Sequence, residues 1–194
     1  MARSPFTIPL QTQRLTLTLP DIGNQQDLEA HLNFICLEAV ARNLARVPHP
    51  YPDGELPKRY ALWVKAHEEN ENDQTFLIRE TATGDLVGSC GFQLDKKGTL
   101  FEPGYVLAPH VWGQGYATEA LHALVCEGIR AFPTVQEVFS NHYADNPASG
   151  RVMEKIGMRF SHDEALPCLA RGPGTYPAKV LSLPKDSPIW TQSR

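Results

Sequence analysis

A glycine-punctuated turn between an apolar strand and an amphipathic helix constrains this chain most. The strand-like run Gly104-Tyr105-Val106-Leu107 leads through Pro109-His110-Val111 into Trp112-Gly113-Gln114-Gly115. A helical run with Ala117, Leu121, Leu124 and Val125 follows at once. Two glycines in three positions relax the steric limit on φ, so the backbone turns sharply and opens directly into the helix. Such a turn aims several N–H groups at one place, and the helix dipole adds partial positive charge there. The feature predicts a seat for a phosphate or pyrophosphate.

Three kinds of phosphate loop compete for it. A Walker A loop needs G-x-x-x-x-G-K-[ST], and no such run occurs in the chain. A Rossmann fingerprint needs G-x-G-x-x-G, but Gly113 and Gly115 are followed by Thr118, and the chain opens with hairpin signals instead of a βαβ unit. The third is a strand, turn and helix of the kind used for coenzyme A. A tight turn with no ligand is the structural alternative.

The flanking pattern is that of one α/β domain over residues 1–194, with no repeat or linker to mark a second. Arg14 to Leu19 alternates as a half-buried strand, and Leu28, His31, Leu32, Ile35, Ala39 and Val40 carry helical spacing. Three prolines between Val47 and Gly54 exclude regular structure there. A helix over 56–67, strands over 75–79 and 86–92 around Thr83-Gly84-Asp85, and a strand over 101–107 follow. Pro103 and Gly104 inside that strand predict a bulge or an interrupted ladder. After the helix over 116–132 come a strand over 135–143 and a short helix. Asn146 fits that helix's N-cap, Pro147 its first position and Gly157 the residue past its end. Two strands, 160–168 and 178–183, close the chain around a loop at 171–177.

Eighteen basic against 22 acidic residues give a formal net charge of −4, which supplies no general pull toward nucleic acid. Met1 to Leu10 carries no apolar leader, and no 18-residue apolar run predicts a membrane span, so a cytoplasmic protein is expected. Cys36, Cys90, Cys126 and Cys168 are far apart and read as buried thiols. The seven histidines form no zinc spacing with each other or with cysteine, and no metal is expected.

The run E-P-G-Y-V-L at 102–107, followed by W-G-Q-G-Y-A-T-E-A at 112–120, resembles the acyl-CoA signature of the GNAT superfamily of N-acetyltransferases. More narrowly it is similar to the Rim-like branch, the ribosomal-protein-alanine N-acetyltransferases. Four further pieces match in order: T-Q-R-L-T-L-T-L-P at 12–20, H-P-Y-P at 49–52, V-G-S-C-G-F at 87–92 and N-P-A-S-G-R-V-M-E-K-I-G-M at 146–158. Gly115 and Ala117 match the last fixed positions of the superfamily's Q/R-x-x-G-x-G/A, while Trp112 replaces the commoner Gln or Arg.

The resemblance implies a mixed, mostly antiparallel sheet of about six or seven strands, split around the cofactor arm, with helices on both faces. It implies acetyl-CoA as cosubstrate and direct transfer of acetyl to a primary amine. Cofactor contacts fall on Val106, Leu107, Trp112, Gly113, Gln114, Gly115, Tyr116, Ala117, Thr118, Asn146 and Ser149. A backbone N–H at Val106 or Leu107 would face the thioester carbonyl. Glu102 is the candidate base for the incoming amine; its alternative is a solvent-facing strand residue. Many members carry a tyrosine acid where this chain has Met153, so Ser149 is the candidate acid, with Tyr143 second. Without a ligand, Ser149 reads as an exposed first-turn serine. Tyr51, Tyr60, Trp63 and Tyr105 are candidates for an acceptor pocket or for core. The acceptor expected is a protein or peptide α-amine. A small amine (amino acid, polyamine or antibiotic) and a non-catalytic acyl-CoA-binding module are the alternatives, and monomer and homodimer both stay open.

Overall fold

In Leu15-Thr16-Leu17-Thr18 the leucines share one face, and in the computed structural model of the protein both are fully buried while the threonines are half-exposed. The structure describes residues 6–184 and 186–192, so the first half of the leader reading at Met1 to Leu10 lies outside the described residues. In chain order the elements are β1 (Leu10–Gln11), β2 (Leu15–Thr18), α1 (Gln25–Ile35), α2 (Glu38–Ala41), α3 (Glu55–Glu69), β3 (Asp73–Glu80) and β4 (Leu86–Leu94). Then come β5 (Leu100–Leu107), α4 (Tyr116–Ala131), β6 (Glu137–Tyr143), α5 (Pro147–Lys155), β7 (Arg159–Cys168), β8 (Gly172–Ser182) and α6 (Pro188–Gln192).

The strands form one eight-stranded sheet ordered β1-β2-β3-β4-β5-β6-β8-β7. All neighbours are antiparallel except β5 and β6. Helices cover both faces, as consecutive residues of β3 show. Leu77 packs with Leu28, Leu56 and Tyr60 of α1 and α3. Phe76 and Ile78 belong to the cluster holding Leu121, Leu124 and Val125 of α4.

The strand count exceeds the expected six or seven. β1 adds two residues, and the loop expected at 171–177 is mostly strand, pairing Pro167 with Thr175, Leu166 with Tyr176 and Ala165 with Pro177. Along β7 only Cys168 is fully buried, so this outer hairpin carries little of the hydrophobic alternation by which a strand is read. The helix expected through Val40 is two helices, because Leu37 is extended (φ −74°, ψ 131°) between α1 and α2. Their apolar spacing runs across the break nearly in phase.

The irregularity at Pro103-Gly104 takes the form of an interrupted ladder, not a bulge against β4. Pairing from Gly88–Leu107 to Leu94–Phe101 runs without a shift. On the other edge, β5 meets β6 only at Leu100–Glu137 and Phe101–Val138. Asp95 N donates to Leu100 O and Ala108 N to Val87 O, so even-numbered residues of β5 bond to β4 and odd-numbered ones face β6. Pro103 therefore has its missing N–H on the β6 side. Its carbonyl accepts from the Ser140 side chain at 2.9 Å instead of from a backbone amide. Beyond this point the two strands part and a cleft opens.

The helix that lines the cleft is seated closely. A Cβ on Gly128 of α4 would stand 2.3 Å from the Phe101 ring, which is fully buried and stacked on Phe92 at 5.0 Å. The ring has nowhere to move. Gly128→Ala should cost about 1–3 kcal/mol of stability, read as a Tm lowered by roughly 3–10 °C for a chain of this size; an unchanged Tm would show that α4 shifts freely on the sheet.

Candidate active site

Two cavities open off the cleft. One, of about 330 Å³, lies between the end of β5, the turn into α4 and the start of α5. The other, of about 280 Å³, lies between β4, β5 and the early helices. Asn43, Leu44, Tyr105, Val106 and Ser149 line both, so the two chambers share a wall.

Of the residues expected to hold the cofactor, Val106, Leu107, Trp112, Gly113, Gly115, Tyr116, Ala117, Thr118, Asn146 and Ser149 line the first chamber. Gln114 does not. Its carbonyl accepts from Arg14 Nη1 at 2.8 Å, and its side-chain amide donates to His110 O at 3.2 Å. Gly113 (φ +79°) and Gly115 (φ +83°) hold the left-handed backbone that the turn requires. Gly115 is the N-cap of α4 and supplies no side-chain cap. The first helical hydrogen bond there is Glu119 N to Gly115 O, which leaves the amides of Tyr116, Ala117 and Thr118 without helical partners.

The turn is braced from the far end of the chain. Arg14, just before β2, pairs with Glu119 at 2.7 Å and lies 4.7 Å from the centre of the Tyr116 ring. Thr12 Oγ1 donates to Glu119 at 2.6 Å, and the Tyr116 hydroxyl donates to Glu80. Arg151 and Lys155 line the same chamber. The sequence reading missed all three cations. Arg151 and Lys155 stand one turn apart on α5 after the Asn146 cap, a spacing that could have flagged them. Arg14, a hundred residues from the turn, carries no local signal. Open helix amides and the two cations that line the chamber, Arg151 and Lys155, suit a polyanion such as the phosphates of acetyl-CoA.

Trp112 is half exposed and donates its indole N–H to Leu107 O at 2.8 Å. Asn146 caps α5, accepting from Ser149 N at 3.3 Å through Oδ1. Among the described residues its amide nitrogen makes no hydrogen bond, and Asn146 lines the chamber. Strand parity separates the two proposed backbone donors: the Val106 amide is turned toward β4, and the amides of Tyr105 and Leu107 toward the cleft.

In the second chamber Glu102 is half-buried and accepts from Asn141 Nδ2 at 3.0 Å. Burial raises its pKa above the ordinary value, against opposing effects of Arg46 and Asn141; Glu164 and Asp73 push it the same way as burial. Tyr51, Trp63 and His31 supply aromatic wall, while Arg46, Arg59 and Asp73 add charge. Tyr60 lies outside this wall as a fully buried core residue, its hydroxyl 3.0 Å from His31 Nδ1. Burial, then the Arg59 charge, lowers the His31 pKa to about 3, so it stays neutral near pH 7. Tyr105, placed in sequence only as a pocket-or-core aromatic, brings its hydroxyl to 2.9 Å from Ser149 Oγ. Burial pushes its pKa up to about 12.

Tyr143, the second candidate acid, lies elsewhere. Its hydroxyl donates to Pro167 O at 2.5 Å beneath Arg171, in a cluster with Cys168 and Ala178. Met153 is buried and lines the second chamber with a side chain that donates no proton. Cys90 and Cys168 are buried, whereas Cys36 and Cys126 are only partly so. Among the described residues no group of three His, Cys, Asp or Glu converges as a metal site, and no helix is long and apolar enough to cross a membrane.

The cap that Asn146 forms and the cofactor contact expected of it can be separated by substitution. Asn146→Ala should lose about 1 kcal/mol of cap along with acetyl-CoA affinity. Asn146→Asp should keep Tm within a degree or so and still weaken acetyl-CoA at least roughly tenfold by calorimetry, because a carboxylate replaces a donor in an anion-binding chamber. Wild-type affinity in Asn146→Asp would leave Asn146 a cap alone.

Known proteins are similar to this chain, some in sequence and some in fold. The uncharacterized protein YkkB of Bacillus subtilis is 32% identical over 113 residues, 56% of this chain and 64% of YkkB, so the match spans less than two thirds of that relative. The ribosomal-protein-S5-alanine acetyltransferase of Vibrio fischeri superposes with a TM-score of 0.75 at 13% identity, covering 93% of this chain and 99% of its own. RimL, a ribosomal L7/L12 alpha-N-protein acetyltransferase solved in complex with coenzyme A, gives 0.70 at 18% identity over 93% and 98%. At those identities the likeness is one of fold. The family model described as an acetyltransferase (GNAT) domain matches residues 14–159, three quarters of the chain, and the chain belongs to that family.

Proposed function

We propose that this chain, as one domain over residues 1–194, is an acetyl-CoA-dependent N-acetyltransferase that passes acetyl directly to a primary amine. The observation that carries the reading is the shared wall of the two chambers, at Asn43, Leu44, Tyr105, Val106 and Ser149. A donor in one chamber and an amine in the other meet there, and positioning of that kind supplies much of the rate for an already activated thioester. The amides at the start of α4, with Arg151 and Lys155, hold the phosphates, and Arg14 braces the turn from outside the chamber. The Leu107 N–H faces the thioester carbonyl and stabilises the charge that develops on its oxygen. Glu102 takes the proton of the attacking amine. It lies three strand residues, about 10 Å, from Tyr105, which suits relay through water.

The acceptor favoured is a protein or peptide α-amine, in keeping with the Rim-like motifs and with the names of the two ribosomal-protein acetyltransferases of the same fold. The acceptor chamber favours a second reading, a compact free amine, since about 280 Å³ walled by Tyr51 and Trp63 holds a small molecule as readily as one N-terminal residue. Free CoA released from acetyl-CoA with N-terminal peptides and with small amines distinguishes them. Tight acetyl-CoA binding without CoA release from any amine would leave a binding module.

Because burial raises the Glu102 pKa, and the base works ionised, kcat/KM should fall on the acid side with a midpoint above the ordinary carboxylate value of about 4.3. Glu102→Gln should lower kcat/KM at neutral pH more than roughly tenfold and abolish that acid limb. A variant with wild-type rates across pH would remove Glu102 as the base.

A further inference from the structure

The Tyr105 and Ser149 hydroxyls, 2.9 Å apart, stand in the wall common to both chambers, and neither has another hydrogen-bond partner among the described residues. A phenol is a far stronger acid than an alkanol, so within the pair the Tyr105 O–H donates and the Ser149 oxygen accepts. The serine's own hydrogen is then left for a third group. Each partner is held in place: Tyr105 packs against the core from β5, and Ser149 sits in the first turn of α5, its N–H bonded to Asn146. Met153, on the same helix, offers no donor.

We infer that Tyr105 is a positioning residue for acyl transfer, its phenol orienting the Ser149 hydroxyl so that the serine hydrogen faces the leaving sulfur. The inference rests on the acetyl-transfer reading above. As the amine nitrogen bonds to the carbonyl carbon, the C–S bond breaks and its electron pair passes to sulfur. Ser149 hydrogen-bonds to that thiolate without giving up its proton. The proton lost by the amine leaves through Glu102 to water, and the thiolate takes up a proton from water afterwards. Burial keeps the phenol protonated across the working pH range, so the orientation persists.

Tyr105→Phe keeps the ring and deletes only the hydroxyl. Its kcat should fall about tenfold, with both KM values, the acetyl-CoA Kd and the Tm at wild-type levels. Ser149→Ala should fall at least as far, and the double variant no further than Ser149→Ala, because the phenol acts only through the serine. Wild-type kcat in Tyr105→Phe would overturn the inference. So would losses that multiply in the double variant, or a defect confined to Kd or Tm, which would make the pair a strap between β5 and α5. A wild-type protein that acetylates no amine overturns the acetyl-transfer reading and this inference with it; an active wild type with an equally active Tyr105→Phe overturns this inference alone.

Discussion

The parallel contact between β5 and β6 extends over only two residue pairs, and the site depends on its stopping there. A parallel pair normally continues along both strands by evenly spaced backbone bonds. Here Pro103 removes a donor on the facing edge, and the Ser140 hydroxyl occupies the Pro103 carbonyl. The remaining odd-numbered positions of β5 then have no strand beside them. Their amides and carbonyls point into the cleft, where Trp112 takes the Leu107 carbonyl. A sheet that zipped to the end would bury those groups and leave no room for either chamber.

What lies around the cleft compensates for the missing strand contacts. Asn141 reaches from β6 to Glu102 on β5, and Ser149 reaches from α5 to Tyr105. Polar side chains thus span the gap that backbone pairing leaves. The turn before α4 is fixed differently, by a network from the β1–β2 connection in which Glu119 receives Thr12 and Arg14 while Arg14 also holds the Gln114 carbonyl. With Glu119 occupied by these partners, the amides that open α4 stay free for a ligand. The turn before α4 is therefore held by its contacts with the residues around β2 as much as by its own glycines.

Much of this was legible in the residue order. Gly113 and Gly115, the Asn146-Pro147 start, and the Glu102 to Leu107 run lie within continuous segments, where local geometry follows from local sequence. Pro103 and Gly104 announced an irregular strand correctly, though which edge it disturbs depends on strand parity. The outer hairpin was read short because its exposed faces carry little periodicity. The break at Leu37 was missed because the apolar spacing of α1 and α2 continues across it.

The sequence by itself determined a glycine turn feeding a helix and the positions of its free backbone N–H groups, because those arise from φ freedom and capping over a dozen residues. It also placed Glu102 on the strand before that turn. Tertiary structure alone decided that Arg14 braces the turn, that Arg151 and Lys155 face the same chamber, and that Tyr105 meets Ser149 while Tyr143 is spent on Pro167. The bonded pairs among them join residues 24 to 105 positions apart, and their distances are set by sheet order and strand parity. Periodicity along the chain records which face a residue takes, and packing between elements decides what it meets there.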